Sequence, residues 1–125
     1  MVHTSPTKNY TIGVAVASTS AGAGATVLYT CPANFTARVV LLNYANVVGT
    51  TQTLTVEFYH VEDALYTSLA QDLSVDTAIS GKILCSGDVL YLHSGDKLVA
   101  STNSANAFDI ILSVEELNAR YSFAA

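Results

Sequence analysis

The clearest alternation in the chain runs from Gln52 to His60. Leu54, Val56 and Phe58 fall on one side and Thr53, Thr55, Glu57 and Tyr59 on the other. A period of two with β-branched and aromatic residues predicts a strand with one face in a core. Residues 107–117 repeat the pattern, with Phe108, Ile110, Leu112 and Val114 facing in and Asp109, Ser113 and Glu115 facing out. Shorter apolar runs predict further strands over 11–18, 26–30, 36–44, 82–85, 89–93 and 97–102. Pro32 cannot donate to a ladder, so 31–35 makes the turn between two of them. The small residues of Ser20–Ala25 (SAGAGA) and the two Ser-Gly-Asp triplets at 86–88 and 94–96 read as loop and turns. Residues 62–78 fit either a helical turn or a short strand over 65–70, and the strand is preferred.

Turn signals every ~8–12 residues between such strands predict an all-β domain, an antiparallel β-sandwich or jelly roll of roughly eight short strands. The domain spans 11–117. It is preceded by a polar, aperiodic N-terminal arm (1–10) and followed by a short C-terminal tail (118–125). No helical period is sustained, and no internal repeat is present.

Composition sharpens this picture. The 125 residues are 50% hydrophobic but only 12% charged, against ~25% charged in typical soluble domains. Depletion of charge marks the cores of protein interfaces, so the surface leans towards protein contact. The net charge is −5, and the five basic residues (Lys8, Arg38, Lys82, Lys97, Arg120) are scattered, which argues against nucleic acid as a partner. No run approaches the ~20 apolar residues of a membrane helix, and no membrane partner is expected. The segment MVHTSPTKNY lacks the basic-then-apolar order of a signal peptide, so folding is expected where the chain is made.

Candidate chemistry is sparse. The imidazoles are His3, His60 and His93, and each reads as structural or surface because none has an evident partner in sequence. There is no GxSxG elbow and no phosphate-cradling Gly-rich loop before a helix. Glu62, Asp63, Asp72 and Asp76 match no calcium-loop spacing. Cys31 and Cys85 form no CxxC unit and read as buried thiols, with a disulfide as the alternative. Asn9-Tyr10-Thr11 and Asn34-Phe35-Thr36 fit the glycosylation pattern and read as chance matches, because export is not expected. No catalytic residue, cofactor or metal is expected. Arg38, alone in an apolar strand, either pairs with a carboxylate or anchors an interface. The candidates for partner contact are Val2, His3 and Tyr10 in the arm, Arg38, and Tyr121 and Phe123 in the tail.

Two stretches carry a resemblance. VLYTCPANFTARVVLLNYAN (27–46) resembles the opening hairpin, and LHSGDKLVASTNSANAFDIILSVEEL (92–117) the closing hairpin, of small structural proteins in tailed-phage virions. The order and separation match, while 61–81 matches nothing in that group and Cys31 stands where Val is expected. The resemblance implies a non-enzymatic virion component that self-assembles. The expectation drawn from it is a capsid decoration (cement) protein, a homotrimer, that binds the major capsid protein lattice. Its place would be the virion, assembled in the host cytoplasm. A tail, baseplate or head-fibre protein is the alternative within the same class, and a carbohydrate-binding module the alternative outside it.

Overall fold

A computed structural model describes residues 7–84 and 88–120. Among these described residues nine strands follow one another: β1 (Thr7–Ala15), β2 (Thr26–Thr30), β3 (Phe35–Asn46), β4 (Gln52–His60), β5 (Leu65–Val75), β6 (Ser80–Lys82), β7 (Leu90–Leu92), β8 (Lys97–Thr102) and β9 (Phe108–Asn118). Sheet A has the order β1-β9-β3-β6, with β7 also pairing β3, and sheet B has the order β2-β8-β4-β5. Every pairing is antiparallel. With β6 and β7 counted as two halves of one broken strand, this is the eight-strand jelly roll, two Greek keys wound into a sandwich.

The alternation seen in sequence becomes the core. Phe108, Ile110, Leu112 and Val114 from β9 and Val39 and Leu42 from β3 meet Leu54 and Val56 from β4 and Leu98 from β8, all essentially without solvent contact. The Phe108 ring meets Tyr44 edge-on, centroids 6.3 Å apart at 70°, a preferred aromatic geometry. Each of these leucines truncated to alanine costs about 2–5 kcal/mol, because so dense an interior closes a cavity only partly.

The predicted strands shift at three places. β1 begins at Thr7, inside the expected arm: Thr7–Tyr10 pair with Leu117–Val114 of β9, and a backbone ladder accepts Lys8 and Asn9 whatever their polarity. β5 runs on to Val75 rather than stopping at 70, because Asp72 takes φ 49° and absorbs a register shift against β4. Such a bulge hides the period from a pattern reading. The strand expected over 82–85 instead ends at Lys82. Gly81 lies against Tyr44 so closely that a Cβ there would meet its hydroxyl at 2.5 Å, so any larger residue would push the Tyr44 ring aside. The 31–35 turn closes as expected, with Asn34 at φ 66° and the Phe35 amide donating to the Pro32 carbonyl at 3.2 Å.

Candidate interaction surface

Three buried polar groups lock the sandwich. At one end, Asn46 donates through Nδ2 to the carbonyls of Thr50 (3.0 Å), Val75 (3.0 Å) and Asp76 (3.3 Å), and its Oδ1 accepts from Val48 N–H (3.0 Å). One side chain thereby ties sheet A to the end of β5 in sheet B. At the other end, Asp96 is 1% exposed and its carboxylate accepts the amides of Val61 and His93, each at 3.0 Å. It clamps the β4–β5 and β7–β8 turns together, an extension of the turn role read from Ser-Gly-Asp.

The third lock lies between the sheets. Glu116 points inward, on the same side of β9 as Val114, and its Oε2 accepts the hydroxyls of Tyr10 from β1 and Tyr29 from β2, both at 2.5 Å. Burial, then the Glu116 bond, then its charge push the Tyr10 hydroxyl up to about 12. The same causes in the same order push Tyr29 further in that direction. Cys31, a buried free thiol, is pushed up to about 11 by burial first and then by Glu116 and Asp96. Tyr10, a candidate for partner contact in the sequence reading, thus spends its hydroxyl within the chain.

The outward faces of the two sheets differ. On sheet B the segment between β1 and β2, with its 3-10 turn at Gly22–Gly24, lies over the strands: Gly22 N–H donates to Glu57 Oε1 at 2.9 Å. Outward-facing Val99, Glu57 and Ser101 are consequently buried. Beyond this cover, Tyr59 and Tyr66 oppose each other with centroids 4.6 Å apart, and Lys97 Nζ sits 5.6 Å from the Tyr59 ring.

On sheet A the registers lay the outward residues in rows. Asn9, Glu115, Arg38 and Tyr91 make one; Thr11, Ser113 and Leu41 the next; then Gly13, Ile111, Asn43 and Lys82; then Ala15, Asp109, Ala45 and Ser80. Thr11 and Ser113 hydroxyls are 2.9 Å apart. Val40, the extra residue of a bulge in β3, lies 40% exposed and Ile111 49%. Asn9, Thr11, Val40, Ser113 and Glu115 line a shallow depression of about 300 Å³. Arg38 and Glu115 form a two-point pair, Nε to Oε1 and Nη2 to Oε2, each 3.1 Å. The Glu115 bond, followed after the opposing effect of burial by one to Tyr91, holds Arg38 even more firmly charged. Arg38 therefore does pair with a carboxylate, and does so on an open face.

A cleft of about 360 Å³ at the β4–β5 end brings together His60, His93, Glu62 and Asp96, along with Phe35 and Val61. Sequence spacing gave no sign of this meeting. His60 Nδ1 lies 3.1 Å from Asp63 without hydrogen-bond geometry, and His93 Nδ1 lies 4.0 Å from Asp96. Ser94, the serine of this cleft, donates to the Phe35 carbonyl at 2.9 Å. Among the described residues no three His, Cys, Asp or Glu side chains are grouped to hold a metal ion, and no helix is long and apolar enough to cross a membrane. Val2, His3, Tyr121, Phe123 and Cys85 lie outside the described residues.

Among the described residues, the fold and surface thus define a jelly-roll β-sandwich with one outer face closed by its own chain and the other left exposed. No family model matches the chain, and no curated protein matches it. Among solved structures it is similar to a chain from Bacillus endospore appendages, described as a novel family of disulfide-linked pili. The identity is 16% and the TM-score 0.49, over 90% of this chain and 86% of that one. At that distance the likeness assigns neither family nor function.

Proposed function

We propose that this chain is a non-enzymatic structural subunit of a tailed-phage virion, a decoration protein that binds the major capsid protein lattice and stiffens the head. The observation that carries the reading is the outer face of sheet A: it exposes Val40 and Ile111 at its centre, its Arg38 and Glu115 charges neutralise each other, and it is mounted on a tightly locked sandwich. Charge depletion with exposed aliphatic and aromatic side chains suits contact with a neighbouring protein subunit, as in an assembled particle. Repeated on a lattice, weak contacts of this kind add through multivalency. A jelly roll alone would not decide the matter, since the fold hosts capsid proteins, lectins and cupins alike.

The test is co-sedimentation of the purified protein with phage heads assembled without it. Saturable binding that raises the temperature at which the heads release DNA is expected. Binding to isolated tails instead would move the protein to the tail. Failure on both, with retention on a glycan array, would favour the carbohydrate reading.

A further inference from the structure

We propose that a second copy of this chain covers the outer face of sheet A, packed face to face about a two-fold axis that runs parallel to the strands between β3 and β9. The proposal rests on the reading of the chain as an assembling subunit and names one partner for its open face. Sheet B needs no such cover, because the segment before β2 already buries Val99 and Glu57. Sheet A leaves Val40 and Ile111 at its centre to solvent.

Charge selects the axis. Arg38 and Glu115 are register partners on neighbouring strands. A two-fold parallel to the strands exchanges β3 with β9 and keeps each row level. It sets Arg38 of one copy over Glu115 of the second, and Glu115 over Arg38, so two pairs become a closed ring of alternating charge. The other in-plane two-fold, perpendicular to the strands and centred on the face at the level of Leu112, turns β9 onto itself and brings Glu115 towards Asp109 of the second copy, a like-charge contact. The first arrangement is isologous, so every favourable contact occurs twice, and it stacks two sheets with strands nearly aligned, as sandwiches do. Four strands at ~4.8 Å spacing and β1-length rows offer roughly 600 Å² per copy. Two such faces reach only the low end of specific interfaces, ~1,200 Å² in total, so the dimer forms and dissociates with concentration.

The experiment is sedimentation equilibrium from low to high concentration on the whole chain, with each variant first shown to melt cooperatively. The wild type is expected to pass from monomer to dimer. Arg38→Glu or Glu115→Arg alone should weaken association by about tenfold or more, as several like charges then meet, and the double variant R38E/E115R should restore it to within about threefold. A wild type that stays monomeric, a trimer, a dimer indifferent to the single changes, or a double variant that fails to restore association would each overturn the proposal. Co-sedimentation with heads separates the two readings. A strict monomer that still binds heads removes this contact and leaves the structural role, whereas a dimer that ignores heads keeps the contact and removes the role.

Discussion

Val99 and Ile111 occupy matching positions, one on β8 and one on β9, each pointing away from the core on the second strand of its sheet. Val99 is 2% exposed and Ile111 49%. Residues 17–25 make the difference: a Gly- and Ala-rich segment with no large side chain of its own is held over sheet B by the Glu57 carboxylate. Outward-facing apolar residues therefore mean opposite things in the two sheets. In sheet B they are a second, thin core, which explains why β8 is buried along nearly its whole length; a strand covered on both faces has that profile. In sheet A they are exposed to solvent.

The largest effect expected from breaking this asymmetry is Val99→Asp. It places a charge beneath the cover and directly opposite Glu57, and should cost about 4 kcal/mol or more in urea denaturation. Glu57→Ala comes next. It leaves the Gly22 amide without its acceptor and should cost about 1–3 kcal/mol, with faster amide exchange confined to 17–25 and the strands beneath.

The Glu116 lock offers a third handle through pH. Tyr10 and Tyr29 ionise later in the folded protein than the ordinary value of 10, Tyr10 near 12. Groups raised on folding stabilise fully below the unfolded value and lose that contribution as pH rises through the folded one. Thermal melts should hold steady up to about pH 9, decline first as the raised Cys31 thiol loses its contribution, and fall more steeply from about pH 10 towards pH 12; Tyr29→Phe should flatten the steeper part. The smallest effect belongs to Ile111→Asp, expected to shift monomer stability by no more than about 0.5 kcal/mol. If Ile111→Asp and Val99→Asp cost the same, the two faces do not differ as described.

Much of the fold was legible because β4 and β9 alternate over most of their length, with Ile111 facing out and Glu116 facing in as the exceptions in β9. The extra reach of β1 and β5 was not, since Lys8 and Asn9 join a ladder through backbone alone and the Asp72 bulge breaks the period of β5. The candidate face was half legible. Alternation showed that Glu115 points out, but which outer face is covered depends on a loop whose sequence, SAGAGA, has no apolar signal. The tie from Tyr10 to Glu116 spans most of the chain, and its one local trace was Glu116 sharing the parity of Val114. His60 and His93 converge only because the turns bearing them meet at one end.

The pairing of Thr7 with Leu117 has a mechanical consequence. The first and last strands lie side by side and antiparallel, so a pull applied at Thr7 and Asn118 would act across the β1–β9 ladder. Its bonds run perpendicular to the strands, and such a pull would open them in succession, like a zip, rather than load them together in shear. A protein built this way is weak when tugged by these two ends and strong when pressed on its broad sides. Force applied through its faces would leave that ladder unloaded.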